Sequence, residues 1–199
     1  MTSRVMLLSG GVDSTALTHL IRPDRALVID YGQVCANAEV LAAQGVSTML
    51  QIPLDVVRID CSKLGSGDLS GKPALSGLAP SSEWWPYRNL LLACLAAGQT
   101  IGANGTELIF GTVLTDRFHA DGSPEFFHRL DALLSMQEGN LHVSTPAIEW
   151  TTEELIKQSG AGLEVLGWTH SCHVSNSPCG VCRGCEKRRR VLENTNLWP

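Results

Sequence analysis

A glycine-rich segment near the start of the chain has the residue types of an anion-binding loop. Residues 9–15 read Ser-Gly-Gly-Val-Asp-Ser-Thr and follow a short apolar run. Glycines let a backbone approach an anion closely, and a helix beginning here would direct unpaired N–H groups at it. The glycine spacing is not that of a dinucleotide-binding motif, and no Gly-Lys-Ser/Thr follows as in a Walker loop. The segment therefore predicts a phosphate site of another kind, with a serine-capped structural turn as the alternative.

Four cysteines near the C-terminus have the spacing of metal ligands. They are Cys172, Cys179, Cys182 and Cys185. A turn can direct the last three sulfurs at one point, and the first completes a tetrahedron, which predicts a structural zinc site without an open position. An iron–sulfur cluster is the alternative, and His170 and His173 are weaker candidate ligands. Of the other cysteines, Cys94 is expected in the core, and Cys35 is a candidate thiol near the loop.

Composition restricts the class of protein. The chain has 199 residues, of which 44% are hydrophobic and 18% charged, as in a globular protein. The net charge of −5 argues against nucleic acid as a partner, and the basic run 187–190 is expected to be a solvated helix end. We expect no membrane span, because no apolar stretch approaches about 20 residues. The start lacks the form of a signal peptide, so we expect a cytoplasmic protein with reduced cysteines.

Apolar runs and turn residues predict an α/β fold. The expected strands cover 5–8, 26–29, 56–59, 107–112 and 142–146, and the expected helices cover 13–21, 36–50, 89–103, 125–137, a segment after Thr151, and 186–193. We expect Asp13-Ser14 to cap the first helix, and Thr151 with Glu154 to form a capping box. Alternating strands and helices predict a mostly parallel, five-stranded, Rossmann-like sheet. Residues 63–82 are expected to form a mobile lid.

The glycine-rich segment, placed after a first strand, resembles the PP-loop of the ATP pyrophosphatases. Further segments resemble the 7-cyano-7-deazaguanine synthase (QueC) family, of which the chain looks like a divergent member. They are Asp-Tyr-Gly-Gln at 30–33, Arg-Asn-Leu at 88–90, Asp116, Asp121, Glu-Phe at 125–126, Thr-Pro at 145–146 and the cysteine segment. The resemblance implies an adenine nucleotide α-hydrolase-like fold, with an ATP-binding domain at 1–150 and a helical, zinc-binding lobe at 151–199.

The resemblance also implies an activity and a set of site residues. The enzyme would be an ATP-dependent C–N ligase that adenylylates 7-carboxy-7-deazaguanine and converts it with ammonia to amide or nitrile, using ATP, Mg²⁺ and Zn²⁺. The implied catalytic residues are Asp13, Ser14 and Arg88. The implied ATP-binding residues are Leu8, Ser9, Gly10, Gly11, Val12, Asp13, Ser14, Thr15, Asp30, Tyr31, Gln33 and Gly111. The implied substrate-binding residues are Trp84, Trp85, Arg88, Asn89, Asp116 and Asp121.

Several of these side chains have a second interpretation. Arg88 could bind a phosphate or carboxylate in bidentate geometry. Trp84 and Trp85 would either stack on a purine-like ring or pack the lid. Asn89 could cap the following helix instead of binding substrate. Asp121 could cap a loop instead of accepting N–H groups of a guanine-like edge.

The sequence departs from the family pattern at the substrate side of the expected site. Residues 119–123 replace Tyr-Pro-Asp-Cys-Arg with His-Ala-Asp-Gly-Ser, Tyr87 replaces a glycine, and Thr152 replaces a lysine. These changes predict intact ATP binding and an altered substrate pocket. We therefore expect the nitrile to form poorly.

Four functions remain open on the sequence alone. The first is the QueC-like synthase, with a deazapurine substrate and an amine donor as partners. The second is a ligase joining the activated acid to a protein amine in an antiphage system. The third is a tRNA-thiolating enzyme, and the fourth is a non-catalytic nucleotide-binding subunit. A homodimer is compatible with all four.

Overall fold

The protein folds as an α/β structure around one parallel five-stranded sheet, as predicted. The computed structural model describes residues 3–198, so the outermost residues of the two predicted domains, 1, 2 and 199, lie outside the described residues. The strands are β1 (Arg4–Leu7), β2 (Arg25–Asp30), β3 (Leu54–Arg58), β4 (Glu107–Phe110) and β5 (His142–Ser144). Their order is β3-β2-β1-β4-β5, and every neighbouring pair is parallel.

The helices lie close to their predicted ranges. They are α1 (Val12–Ile21), α2 (Ala36–Leu50), α3 (Arg88–Gly102), α4 (Pro124–Ser135), α5 (Thr152–Ser159), α6 (Leu163–Leu166) and α7 (Arg183–Asn194). The one-turn α6 was not predicted. The capping box of Thr151 and Glu154 is confirmed. Within the described range, none of these helices combines the length and the hydropathy of a bilayer span.

Three local predictions were wrong. Gly11, not Asp13 or Ser14, is the N-cap of α1, because the helix begins at Val12. Tyr87 is the N-cap of α3, so Asn89 lies inside that helix and does not cap it. Cys94 was expected in the core but is exposed, since it lies on the outer face of α3.

The sheet is covered on both faces, which explains why its strands are almost wholly apolar. Successive side chains of a strand point to opposite faces. Met6, Ala26 and Ile109 belong to the core under α1 and α2, whereas Val5, Leu27 and Leu108 belong to the core under α3 and α4. β1 and β4 are neighbours in the sheet but not in the chain, and the crossovers on their two sides run over opposite faces. Ligands of open parallel sheets bind at such a point, beyond the carboxyl ends of the strands.

The C-terminal helices pack on the same face as α1 and α2. Leu155 of α5, Val165 of α6 and Val191 of α7 are buried in the core cluster that also contains Leu17 and Val46. The predicted small lobe therefore rests directly on the sheet domain through apolar contacts. The division at residue 150 stays a prediction about folding units.

The long connection between β3 and α3 covers the carboxyl edge of the sheet. Residues 59–87 contain only two short 3₁₀ turns. Leu69 and Trp85 bury their side chains in the core, and Leu69 O accepts a hydrogen bond from Val34 N at 2.9 Å. We call residues 59–87 the lid loop below. Its buried anchors hold it over the edge where β1 and β4 end.

Candidate active site

A cleft of about 680 Å³ lies at the carboxyl ends of β1 and β4. Its walls come from the glycine-rich loop, the lid loop, the segment after β4 and one face of α7. A second depression of about 390 Å³ lies between α2 and β3. The residues lining that depression carry no ionisable side chain, so the chemistry of the molecule is concentrated in the larger cleft.

Two glycines allow the loop to pack tightly against its surroundings. Gly10 has a φ of 78°, and a Cβ there would lie 2.8 Å from both the Glu39 carbonyl oxygen and the Ala42 Cβ. A Cβ on Gly111, at the end of β4, would lie 2.7 Å from the Ser14 Cα. Any larger side chain at either position would displace the loop, because backbone atoms cannot move aside easily. Gly111 thus sets the distance between β4 and the start of α1.

The loop presents donors to the cleft. Gly11, the N-cap of α1, has no side chain to cap the helix, so the first N–H groups of α1 have no side-chain cap among residues 3–198 and are suited to bind an anion. Ser9 Oγ and Ser14 Oγ lie 3.0 Å apart, and Ser14 Oγ donates to Gly11 O at 3.2 Å. Leu8 and Val12 are buried beneath the loop, and the fully buried Thr15 hydroxyl has no partner within the described residues.

Asp13 forms the centre of a polar cluster at the loop. Its Oδ1 accepts a hydrogen bond from Thr152 Oγ1 at 2.6 Å, and its Oδ2 accepts one from Lys187 Nζ at 2.8 Å. Burial disfavours the charged form of Lys187, but the carboxylates of Asp13 and Asp116 outweigh it and raise the pKa of the ammonium. Burial, together with the nearby Asp13 carboxylate, raises the pKa of Asp116. Lys187 therefore forms an ion pair with Asp13 and also favours the charged form of the nearby Asp116.

Lys187 is a site residue that sequence reasoning missed. It belongs to the basic run 187–190, which was expected to be a solvated helix end. That prediction is wrong for Lys187, whose side chain is only 30% exposed and lines the cleft. It is also wrong for Arg188, whose Nε donates to Thr169 Oγ1 at 2.9 Å. Arg189 and Arg190 are exposed as predicted. The helical period of α7, counted from Arg183, could have shown that Lys187 lies on the covered face of the helix and Arg189 on the exposed face.

Arg88 lies in the cleft among acidic and phenolic groups. Burial opposes the charge of its guanidinium, but Tyr31, Asp121 and Asp116 favour it and raise its pKa. Burial raises the pKa of Tyr31 well above its usual range. Burial also raises the pKa of Glu39, although hydrogen bonds from Gln33 and Cys35 oppose that shift. Arg88 is thus a permanent cation in the same cleft as the glycine-rich loop.

Two of the residues expected to bind ATP support the cleft from behind. Asp30 Oδ1 accepts a hydrogen bond from Gly32 N at 3.1 Å. Gln33 Oε1 accepts one from Tyr31 N at 2.9 Å, and its Nε2 donates to Glu39 Oε2 at 2.6 Å. The side chains of Asp30 and Gln33 therefore fix the turn after β2. Within this turn, Tyr31 is the residue that lines the cleft.

The thiol of Cys35 does not have the properties of a nucleophile. It is buried and donates a hydrogen bond to Glu39 Oε1 at 3.3 Å. Burial and the adjacent carboxylate raise its pKa far above the usual range. Since the thiolate is the reactive form, Cys35 is a structural residue.

The expected substrate residues all contribute to the lining of the cleft, although they differ in burial. Trp85 is only 2% exposed and meets Tyr31 edge to face, with ring centroids 4.9 Å apart. Its position corresponds to lid packing, but its indole N–H has no partner within the described residues. Trp84 is half-buried and lines the cleft. Asn89 N donates to Asp121 Oδ2 at 3.2 Å, and Asn89 Nδ2 donates to Asp121 O at 2.7 Å. Asp121 therefore binds the first turn of α3.

The segment 119–123, where the sequence departs from the family pattern, has a compact form of its own. A Cβ on Gly122 would lie 2.1 Å from the Asp116 carbonyl oxygen, so only glycine permits this packing. Ser123 Oγ accepts a hydrogen bond from Phe126 N and caps α4. His119 Nε2 lies 3.8 Å from Glu83 Oε1 of the lid loop. The altered residues thus close one side of the cleft against the lid.

The four cysteines converge as predicted. Their sulfur atoms all lie within 4.8 Å of one another, so they could hold one metal ion. The Sγ atoms of Cys172 and Cys182 are 3.9 Å apart, as are those of Cys179 and Cys185. Hydrogen bonds from the backbone N–H groups of Val181 and Cys182 lower the pKa of Cys179 to about 6. Such N–H donors favour the thiolate form that metals bind.

The cysteine cluster and the loop are in direct contact. His170 N, two residues before Cys172, donates to Gly10 O at 2.9 Å. At the other end of the cluster, Cys182 caps α7 and accepts a hydrogen bond from Cys185 N. The cluster therefore fixes both the backbone of the loop and the start of the helix that carries Lys187.

Comparison with known proteins identifies relatives along nearly the whole chain. The family model described as "Queuosine biosynthesis protein QueC" matches residues 3–196. The 7-cyano-7-deazaguanine synthase of Methanothermobacter thermautotrophicus is 29% identical, with 95% of this chain and 93% of the relative aligned. That of Cupriavidus pinatubonensis is also 29% identical, with 97% and 94% aligned.

Solved structures share the fold at lower sequence identity. The U34-tRNA thiolase NcsA from Methanococcus maripaludis, which was solved with its [4Fe-4S] cluster, has a TM-score of 0.53 and 15% identity. The match covers 97% of this chain but only 65% of the thiolase, slightly less than two thirds. The NMN synthetase from Francisella tularensis has a TM-score of 0.50 and 15% identity, with 98% and 84% covered. These matches concern the fold alone.

Proposed function

The chain belongs to the QueC family, and on that premise we propose that it uses ATP to convert 7-carboxy-7-deazaguanine to its amide. A carboxylate oxygen of the acid attacks the α-phosphorus of ATP, and pyrophosphate leaves. Ammonia then attacks the acyl carbon, and AMP leaves with the former carboxylate oxygen. The observation that carries the proposal is the joint placement of a phosphate-binding loop and the Arg88 guanidinium in one cleft.

The loop would hold the departing pyrophosphate. Free N–H groups at the start of α1 and the hydroxyl groups of Ser9 and Ser14 supply fixed donors for the negative charge that develops there. Fixed donors stabilise such charge without rearranging during the reaction. The acyl adenylate is intrinsically reactive, so the remaining contribution of the protein is to position the reactants.

Arg88 would bind the carboxylate of the acid. A guanidinium matches a carboxylate in bidentate geometry, and its charge here is stabilised by Tyr31, Asp121 and Asp116. The buried indole N–H of Trp85 offers a donor to a carbonyl oxygen of the base. Trp84 offers an aromatic face from the lid loop. These groups support a planar, hydrogen-bonding acid as the second substrate.

The acidic groups at the loop fit a magnesium ion. Mg²⁺ in ATP-using enzymes is held by one or two carboxylates together with phosphate oxygens. Asp13 binds the Lys187 ammonium at 2.8 Å, and the Asp116 carboxylate lines the same cleft, so both could contribute to a site for positive charge. A bound Mg²⁺ would neutralise charge on the phosphates during the transfer.

The cysteine geometry supports zinc. With Zn–S bonds of about 2.3 Å, two sulfurs of a tetrahedral site lie about 3.8 Å apart. The Cys172–Cys182 and Cys179–Cys185 sulfur distances are both 3.9 Å. In a four-iron cluster each thiolate binds a different iron, which holds the sulfurs further apart. Four thiolates leave no open position, so the ion would have a structural role.

We expect nitrile formation to be slow. It needs a second adenylylation, on an amide oxygen, which is a weaker nucleophile than a carboxylate. Misplacing reacting atoms by about 1 Å can cost roughly 100-fold in rate. The pocket side formed by 119–123 lacks the arginine of the family pattern and is closed by Gly122 against Asp116. The amide is therefore the expected end product.

Mass spectrometry of the products tests the proposal. The reaction contains ATP, Mg²⁺, 7-carboxy-7-deazaguanine and ammonium, and we expect AMP, pyrophosphate and amide. Arg88→Met should reduce acid-stimulated pyrophosphate release roughly 100-fold. Arg129→Met, at an exposed position of α4, is the matched control.

Other outcomes separate the remaining functions. Efficient conversion to the nitrile would establish the full synthase reaction. Amide formed on an added peptide amine, but not on ammonium, would establish the protein ligase. Pyrophosphate release that does not respond to deazaguanine acids would refute both.

A further inference from the structure

The positive charge beside Asp13 comes from Lys187 in this chain, whereas the family pattern has a lysine at position 152. The pattern places a lysine at position 152, and this chain has Thr152 there. Thr152 is the first residue of α5, is 2% exposed, and donates its hydroxyl proton to Asp13 Oδ1 at 2.6 Å. Position 152 lines the cleft beside Asp13, so a lysine there would bring a positive charge to the cleft wall. The loss of that charge alone would leave the end of the loop dominated by carboxylates.

Lys187 brings a positive charge to the same carboxylate from another helix. Its Nζ donates to Asp13 Oδ2 at 2.8 Å, while Thr152 donates to the other oxygen of the same group. Thr152 belongs to α5 and Lys187 to α7, and the two residues are 35 positions apart in the chain. Their meeting at one carboxylate is therefore a product of the tertiary packing.

We propose that Lys187 replaces the lysine missing at position 152 and binds the triphosphate of ATP. The inference rests on the proposed use of ATP in this cleft. A triphosphate at the loop would come close to Asp13 and Asp116, whose charges would repel it. The flexible stem of Lys187 lets its ammonium exchange the Asp13 carboxylate for a phosphate oxygen when ATP and Mg²⁺ enter.

The position of Lys187 on α7 is fixed by the packing of its neighbours on the same helix. Val191 lies one turn further along the same helix and is buried in the core. Arg188 is bound to Thr169 Oγ1 at 2.9 Å. The side chain of Lys187 is thus directed into the cleft by a helix that cannot rotate freely.

Titration calorimetry with α,β-methylene-ATP and Mg²⁺ tests the inference without requiring turnover. Lys187→Met should weaken binding by about 10- to 100-fold, the range for one hydrogen bond to a charged group. Arg189→Met removes a charge from the exposed face of the same helix and should bind as the wild type does. Metal content and thermal stability of each variant are measured in parallel.

A double variant that moves the lysine from position 187 to position 152 tests whether the charge itself is what ATP binding requires. The double variant Thr152→Lys with Lys187→Met removes the ammonium from α7 and places one on α5. We expect its affinity for the analogue to lie within about fivefold of the wild type, because the number of charged hydrogen bonds is unchanged. Should Lys187→Met alone fail to fold, this double variant decides the question: near-native affinity supports the inference, and lost affinity overturns it. Unchanged affinity in Lys187→Met, or an equal loss in Arg189→Met, also overturns it.

The assay separates this inference from the proposed function. If the wild type binds the analogue but deazaguanine acids do not stimulate pyrophosphate release, the proposed reaction fails and the role of Lys187 can still be read from binding. If the acid reacts but Lys187→Met binds the analogue normally, the reaction stands and the inference fails. Wild-type protein that does not bind the analogue refutes the nucleotide site and the inference together.

Discussion

Arg183 Nη1 lies 3.1 Å from Glu83 Oε1, so the first residue of α7 is joined by a charged hydrogen bond to the lid loop. Glu83 is buried and also faces His119, and the Arg183 guanidinium lies over the Phe118 ring at 5.2 Å. The lid loop, the segment after β4 and α7 thus meet at one carboxylate. This contact forms part of the wall of the cleft.

Arg183→Met should loosen the lid loop. Arg183 is partly exposed, so the pair contributes only about 1 kcal/mol. We expect hydrogen exchange of residues 59–87 to increase about fivefold, which corresponds to that energy. Arg189→Met, also on α7, is the control. Unchanged exchange in Arg183→Met would mean that the buried anchors Leu69 and Trp85 hold the lid alone.

Glu83 should make stability depend on pH in the acid range. Burial favours the neutral acid, but the neighbouring His119 ring, its own backbone N–H and Ser81, together with the Arg183 charge 3.1 Å away, lower the pKa of Glu83 to about 2. This value is below the unfolded value of about 4.3, so the stabilisation is present above that pH and is lost as the pH falls towards 2.

Denaturant unfolding measures this effect. The wild type should lose up to about 3 kcal/mol more than Glu83→Gln between pH 5 and pH 2. Loss of metal at low pH affects both proteins, so it cancels in the difference. If the free energy of unfolding changed with pH in the same way in the two proteins, the lowered pKa of Glu83 would be contradicted.

Asp13→Ala and Ser14→Ala should each abolish pyrophosphate release while the protein stays folded. Both residues line the cleft and neither belongs to the apolar core, and Asp13 is expected to hold Mg²⁺. We expect a loss of at least about 100-fold in rate. Asp13→Ala should lower the free energy of unfolding by only about 1 kcal/mol, because the Lys187 ammonium is partly exposed and can turn to water when its partner is removed.

A coupled pyrophosphate assay and circular dichroism check these two variants. Glu138→Ala, at an exposed position after α4, is the matched control for the loss of a carboxylate. Wild-type turnover in Asp13→Ala would refute a role of the loop in the reaction.

Cys182→Ser should remove the metal and reduce the yield of folded protein. Metal binding to such a cluster contributes directly to folding, because the unfolded chain has no preformed site. We expect one zinc per chain in the wild type and much less in the variant, measured by plasma emission spectrometry. Cys94→Ser, at an exposed cysteine outside the cluster, should keep the metal. Iron with a visible chromophore in the wild type would overturn the assignment to zinc.

The sequence by itself determined the features that depend on neighbouring residues. Strand–turn–helix order around residues 9–15, the alternation that defines the sheet, and the spacing of Cys179, Cys182 and Cys185 all operate over short distances in the chain. Local sterics and hydrogen bonding fix such features, so the residue pattern alone was enough to predict the capping box at Thr151 and the parallel sheet.

Only the tertiary structure decided which side chains meet across the cleft. Asp13, Thr152 and Lys187 come from three helices, and their contact depends on how α5 and α7 pack on α1. The basic run 187–190 was predicted to be a solvated helix end, because its composition gives no information on which face of the helix packs against the rest of the protein. Packing also turned Trp85 into the core and left Cys94 exposed, since burial is set by the neighbouring elements and not by the residue type.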